Sequence, residues 1–303
     1  MAVKTGFPVL RDGAYSIDAK IGSGGSGVVY RAWHARLQKY VVLKRIYNNS
    51  KLALSGRARR ETDILKNLKH AHLPQLYDFL DEPSGIYTVM EFIPGHSFAD
   101  LLKKNRKFTQ AQVTRWADQL SEVLEYLHGQ SPPVLHSDIK PGNIMLTERG
   151  DICLIDFNIS LVMDGGDAEI LGLSHGYASP EQYGPQELPG YYSGSETNIT
   201  CIETDVSLDA APPQSQSPSE QRREMICLDA RSDIYSLGAT LYHLVAGEKP
   251  AISTGEIKPL TEFGVSLSDA FICIISRCME RDPSKRFQTS KELHTAVAGI
   301  QRR

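Results

Sequence analysis

The densest chemistry in the chain lies in the run His136-Ser137-Asp138-Ile139-Lys140-Pro141-Gly142-Asn143, with Asp156-Phe157-Asn158 starting thirteen residues after Asn143. Asp138 and Asn143, five apart in a loop, can converge on one ligand, and Asp156 follows an apolar run that ends at Ile155. Carboxylate and amide oxygens offered together with phosphate oxygens suit Mg²⁺. Each of these residues taken singly is equally a turn former; the whole constellation is hard to read that way. Far upstream, Gly22, Gly24 and Gly27 punctuate GSGGSGVV. Glycines admit backbone N–H groups close to phosphate oxygens. Alone, such a stretch is equally a tight turn between two strands. A β-branched strand follows it rather than a helix, which removes the dinucleotide-loop reading.

Lys44 closes the apolar run Val41-Val42-Leu43. By itself it reads best as a strand-edge lysine reaching for solvent. Glu61 changes that reading, because it shares a helical stripe with Ile64, Leu65 and Leu68. A carboxylate on a core-facing stripe needs a cation, and Lys44 is the natural one.

These residues must be held by elements that the patterning makes legible. Alternation from Tyr15 through Ile17, Ala19 and Ile21 predicts a half-buried strand. Residues 28–33, 40–46, 76–80 and 86–92 supply four more strands, interrupted by one helix over 57–68. After Pro94-Gly95 the period becomes helical. Thr109 with Gln112 predicts a capping box opening a helix whose apolar face is Val113, Trp116, Ala117, Leu120, Val123, Leu124 and Leu127. Short strands are predicted at 144–146 and 152–155, and helices at 233–246 (ending at Gly247), 267–279 and 291–300. The expected fold is α+β and bilobal: a small antiparallel β lobe with one main helix, a linker near 91–95, and a larger, mostly helical lobe. A cleft between the lobes is the expected ligand site.

The order and spacing of the glycine loop, Lys44, Glu61, the 138–143 loop and Asp156 resemble a eukaryotic-type protein Ser/Thr kinase, most of all its bacterial members. Ser179-Pro180-Glu181 resembles the family's Ala-Pro-Glu, Arg286 sits where that Glu's buried partner is expected, and Asp233 matches the helix-borne Asp that braces the catalytic loop. The resemblance covers residues 12–300 and implies one kinase domain, with a small lobe over 12–92 and a large lobe over 93–300. It implies that Gly22, Gly24 and Gly27 cover the ATP phosphates while Lys44, held by Glu61, grips them. Asp156 and Asn143 would hold Mg²⁺, for which Mn²⁺ can substitute. Asp138 would accept the proton of a protein hydroxyl, Lys140 would neutralise the moving phosphoryl group, and Ser174 would help to seat the acceptor. Adenine is expected between Val29 and Val42 above and Met145 below, with Met90 as gatekeeper and Glu91 to Ile93 as hinge. His136, Phe157, Glu181, Asp233 and Arg286 are expected to be structural.

The sequence also departs from the family. Ser137 stands where an arginine usually receives a phosphorylated activation loop, and residues 161–173 contain no Ser, Thr or Tyr. Catalysis is therefore expected not to depend on phosphorylation there. Asn158 replaces a glycine, and Val42 replaces the usual alanine above adenine. Residues 186–228 carry seven acids against two bases and few aliphatics, and read as a disordered acidic insertion, either a variable surface loop or a tail that takes autophosphorylation or recruits partners. Two alternatives are a pseudokinase scaffold, favoured by Ser137 and Asn158, and a small-molecule phosphotransferase.

Composition narrows the rest. The chain has 303 residues, 33 Lys and Arg against 36 Asp and Glu, and a net charge of −3, which argues against a bulk electrostatic grip on nucleic acid. No run is long and apolar enough to span a bilayer, and the N-terminal residues lack a secretory pattern. Five cysteines with no CxxC spacing read as reduced thiols, so a cytoplasmic location is expected, with ATP and protein substrates as partners.

Overall fold

The computed structural model describes residues 9–11, 13–24, 27–46, 65–156, 174–183, 228–251 and 257–301. Glu61, Phe157, Asn158, residues 161–173 and the insertion up to residue 227 lie outside the described residues.

A six-stranded antiparallel sheet forms the first lobe: β1 (Val9–Leu10), β2 (Tyr15–Gly24), β3 (Gly27–His34), β4 (Lys39–Ile46), β5 (Leu76–Glu82) and β6 (Gly85–Glu91), in the order β1-β2-β3-β4-β6-β5. Register decides which side chains share a face. Val29 lies opposite Lys44, Lys44 opposite Thr88, and Val42 opposite Met90, so these five point to one side of the sheet. The residues between them, Val41, Leu43, Tyr87 and Val89, point to the other side and join Leu10, Tyr15, Ile17, Ala32 and Leu80 in the lobe's core. Packing this second face therefore aims Lys44 and the two valines at the cleft.

The predicted alternation in β2 holds only to Ile17. Register shifts fall between Ile17 and Ala19 and between Lys20 and Gly22, and they leave Ile21 47% exposed instead of in the core. Each bulge inserts one extra residue and reverses the facing of those that follow. Of the helix predicted over 57–68, residues 65–68 are described; 65–67 are helical and Leu68 lies just past the helix end.

The second lobe contains β7 (His96–Ser97), β8 (Ile144–Leu146) and β9 (Ile152–Leu154), with helices α1 (Phe98–Lys103), α2 (Gln110–His128), α3 (Ala230–Ala246), α4 (Asp269–Cys278) and α5 (Ser290–Gln301). The capping box at Thr109 and Gln112 is present, and the whole predicted apolar face of α2 is buried. Helix α3 is buried almost all round, as its mainly apolar sequence requires. Gly238 permits α4 to approach, since a Cβ there would lie 2.5 Å from Cys278 Cβ. Gly247, at φ 76°, ends α3 in the left-handed conformation. The strand β7 and the short helix α1, capped by Ser97, were not legible as elements in the sequence.

A buried ion pair locks the lobe's lower half. Arg286 is fully buried, and its five N–H groups all find acceptors: Glu181 Oε1 at 2.7 Å and Oε2 at 2.9 Å, and the carbonyls of Glu280 (2.7 Å), Arg231 (3.0 Å) and Arg281 (3.1 Å). Its guanidinium also lies 4.8 Å from the centre of the Tyr235 ring. Removing one partner of such a pair strands the other's charge in a dry site. Arg286→Met is expected to destabilise the protein by about 3–5 kcal/mol in urea unfolding. A loss below about 1 kcal/mol, the range of an exposed pair, would contradict this reading.

Candidate active site

Residues 134–143 carry the densest polar network between the lobes. Asp233, 1% exposed in the first turn of α3, accepts the amide N–H of His136 at Oδ2 (2.8 Å) and of Ser137 at Oδ1 (2.8 Å). Its Oδ2 also meets His128 Nε2 at 2.9 Å, and His128 Nδ1 lies 2.5 Å from Ser290 Oγ at the start of α5. One carboxylate thus joins the loop to the end of α2 and the start of α5. His128 was not singled out from sequence. The signal was available: it sits four residues after Leu124 on the buried stripe of α2, where a polar side chain needs a partner.

Ser137 adopts φ 64°, a conformation uncommon for a residue with a Cβ. It is held there from both sides, by Asp233 at its N–H and by Gln182 Nε2 at its carbonyl (3.1 Å). Its hydroxyl is buried without a hydrogen-bond partner among the described residues. The adjacent His136 is fully buried; its Nδ1 accepts from the Asp138 amide (3.4 Å), and its Nε2 donates to the Ile155 carbonyl (3.2 Å). The loop and the segment leading to Asp156 are thereby stitched together, and the Ile155 N–H donates to the Asn143 carbonyl (2.8 Å).

Asp138 is the meeting point. Its Oδ2 accepts from Lys140 Nζ (2.7 Å) and Asn143 Nδ2 (2.9 Å), while its Oδ1 accepts the Ser174 hydroxyl (2.5 Å). Lys140 Nζ also donates to Ser174 Oγ (2.7 Å). Four residues singled out from sequence, Asp138, Lys140, Asn143 and Ser174, therefore sit in one hydrogen-bonded cluster. Lys44, buried, forms an ion pair with Asp156, which itself adopts φ 63°. With Glu61 outside the described residues, Asp156 is the partner that the described residues give Lys44.

Val29 and Val42, both partly buried, flank Lys44 on the cleft face of the sheet, and Met145 on β8 lies in the other lobe. Met90 and Lys44 border a small cavity of about 30 Å³ with Leu68, Leu73, Leu76 and Thr88. The Glu91 N–H is taken by the Gln75 carbonyl (2.9 Å), and Ile93 follows in the linker. Gly22 and Gly24 lie at the end of β2, and Gly27 begins β3.

The buried groups set a pH response. Burial acts to raise the Asp233 carboxyl, but the hydrogen bonds from His128 and from the His136 amide help to outweigh it and hold it below its ordinary 3.8. Burial likewise opposes ionisation of Glu181, and its bonds to Arg286 bring it below 4.5. Burial pushes the His136 imidazole below its ordinary 6.5 and so favours its neutral form. Carboxyls lowered in this way stabilise the fold above their unfolded values and lose that contribution as pH falls through the native ones. A histidine buried neutral binds its proton more readily when unfolded, so its contribution also declines below 6.5. The thermal midpoint is expected to fall between pH 7 and 5 and to drop more steeply below 4.5. A midpoint constant from pH 7 to 4 would contradict this assignment.

Comparison with known proteins agrees with the geometry. The protein kinase domain family matches residues 15–193, more than half of the chain. A probable serine/threonine-protein kinase of Clostridium acetobutylicum is 26% identical over 304 residues, covering 94% of this chain and 40% of that protein. The probable serine/threonine-protein kinase PknB of Bifidobacterium longum is 26% identical over 319 residues, covering 97% of this chain and 41% of the relative. The chain thus spans about two fifths of the length of these curated relatives. Among solved structures, the Mycobacterium tuberculosis PknI kinase domain superposes with a TM-score of 0.66 at 20% identity, covering 99% of both chains. Rad53 residues 1–466 in complex with AMP-PNP superposes with a TM-score of 0.67 at 21% identity, over 94% of this chain and 66% of that one. At such identities these likenesses speak to the fold alone. With the family match spanning both the glycine turn and the 138–143 loop, the chain belongs to the protein kinase domain family.

Proposed function

We propose that this chain is a Ser/Thr protein kinase, transferring the γ-phosphoryl group of ATP to protein hydroxyls. The observation that carries the reading is the Ser174 hydroxyl, held between the Lys140 ammonium and the Asp138 carboxylate. A hydroxyl already sits within hydrogen-bond reach of Asp138, with its proton directed to Oδ1, as a base requires of an acceptor. The bidentate anchoring of Glu181 by Arg286 steadies the stretch 174–183, which supports a protein acceptor over a small molecule.

The roles follow from chemistry at named atoms. Asp138 orients the acceptor hydroxyl and takes its proton. Lys140 offsets negative charge gathering on the phosphoryl oxygens, and Ser174 keeps both side chains aligned. Lys44 binds the α- and β-phosphates, with Glu61 as its second carboxylate, beneath the amides of the Gly22–Gly27 turn. Val29, Val42 and Met145 enclose the adenine, and Glu91 to Ile93 offer it backbone groups beside Met90. Loose phosphoryl transfer leaves mainly positioning and electrostatics for the protein to supply.

Divalent metal fits the donors present. Among the described residues no three His, Cys, Asp or Glu side chains are grouped to hold an ion by themselves. Asp156 and Asn143 offer hard oxygens, are brought together by the Ile155-to-Asn143 hydrogen bond, and leave most of the coordination shell for phosphate oxygens and water, as Mg²⁺ prefers. Mg²⁺, or Mn²⁺ in its place, would be held there and would offset phosphate charge. Residues 12–300 form one kinase domain interrupted by the acidic insertion, acting in the cytoplasm and able to phosphorylate itself. Among the described residues no helix is long and apolar enough to cross a membrane.

Transfer from labelled ATP onto the protein itself and onto a generic basic protein tests the reading. Asp138→Asn is expected to lower the rate by about 10²–10⁴-fold with nucleotide still bound, the range of a lost general base. Retention within tenfold of the wild-type rate would overturn the assignment. Ser174→Ala is expected to lower kcat/KM for the protein acceptor while sparing KM for ATP, and Ser174→Thr to retain activity. Equal losses in the Ala and Thr variants would show that the hydroxyl has no such role.

A further inference from the structure

A cavity of about 560 Å³ lies away from the cleft. Its apolar floor is Leu101, Trp116 and Leu146, and its polar rim includes His96, Arg106 and Arg115, with Gln112, Thr147 and Glu148. The volume falls in the range of sites that take a ligand. The walls are rigid: β7 pairs with β8, and the Trp116 indole donates to the Gly150 carbonyl (3.0 Å). Gly95, at φ 145°, packs so close that a Cβ would lie 2.2 Å from the Leu146 carbonyl oxygen. Met145 and Leu146 are neighbours on β8, so they face opposite sides, and the cavity backs onto the strand that lines the cleft.

The charge around this cavity is opposite to that of the chain. Residues 95–116 and 146–151 carry six Lys or Arg (Lys103, Lys104, Arg106, Lys107, Arg115, Arg149) against three acids (Asp100, Glu148, Asp151), where the whole chain is −3. Arg115 is paired with Asp151 at 2.6 Å, while Lys107 Nζ turns towards Gly247. Arg106 lies 6.0 Å from the centre of the Phe108 ring and pairs with no carboxylate among the described residues. Cation together with apolar floor fits an acidic segment bearing aliphatic side chains.

The chain contains such a segment. Ile202-Glu203-Thr204-Asp205-Val206-Ser207-Leu208-Asp209 carries three acids, three aliphatics and no base. Eighteen residues lie between Tyr183 and Ile202, and eighteen between Asp209 and Leu228. Each tether spans up to about 60 Å, well beyond the radius of gyration of about 18 Å for a core of this size. We propose that this cavity is the docking site for residues 202–209 of the chain, an aliphatic side chain seating on Leu146 and Trp116 while the carboxylates meet Arg106 on the rim and Lys104, two residues before it in the chain. The interaction needs no phosphoryl transfer, so its fate is separate from that of the kinase reading.

Amide hydrogen exchange on the full chain, read by mass spectrometry, tests it by charge exchange. Glu203→Lys, Asp205→Lys and Asp209→Lys made together are expected to speed exchange at residues 95–104 and 146–150 at least threefold, and Lys104→Glu with Arg106→Glu to do the same. Combining all five substitutions is expected to bring exchange back to within twofold of wild type, with residues 240–246 of α3 unchanged throughout as the control for folding. If the three insertion substitutions leave those amides as slow as before, or the combination fails to restore them, the proposal falls. Protection of the same amides by citrate at an equal level with or without the insertion charges would assign the cavity to a small anion and overturn it as well.

Discussion

The carboxylate of Asp233, taken out of water at the start of α3, is what the site depends on. A buried carboxylate is costly unless its oxygens are occupied, and here they hold the His136 and Ser137 amides and His128. These bonds let Ser137 remain at φ 64°, which no local preference would maintain. The turn through Ser137 in turn presents Asp138 to Lys140, Asn143 and Ser174. Helix α3 can bury the carboxylate because it is itself nearly wholly enclosed, with Gly238 admitting α4 on its other side.

A second anchor acts on the other half of the acceptor region. Arg286 fixes Glu181, and Gln182 beside it reaches back to the Ser137 carbonyl. The segment 174–183 is thus tied at both ends to the loop that it serves: Ser174 meets Asp138 and Lys140, and Gln182 meets Ser137. Ser137, which stands where a phosphate-receiving arginine is usual, thus takes part in this tie through its backbone, by its N–H to Asp233 and its carbonyl to Gln182.

Much of this was legible in the sequence because it follows short-range rules. Apolar periodicity located α2 and its buried face, and Thr109 with Gln112 marked its start. The chemistry-bearing residues were legible because they cluster at fixed spacings, as Asp138, Lys140 and Asn143 do. What escaped was set by tertiary contacts. The bulges that turn Ile21 outward depend on how β2 pairs with β3, and alternation alone cannot reveal them. Helix α1 is six residues long, too short for a period to show. His128 was passed over although it shares the buried stripe of α2, because its partners Asp233 and Ser290 lie 105 and 162 residues away.

The central claim is that the loop at Asp138 is built ready for transfer by Asp233 and Arg286, without prior phosphorylation. The most direct measurement is the first turnover itself: protein stripped of phosphate by a phosphatase, mixed rapidly with ATP, Mg²⁺ and a serine peptide, and quenched over time. The account predicts product from the earliest time points at the steady rate, unchanged by preincubation with ATP. A lag that preincubation abolishes would contradict it and place the missing constraint in a phosphorylated segment.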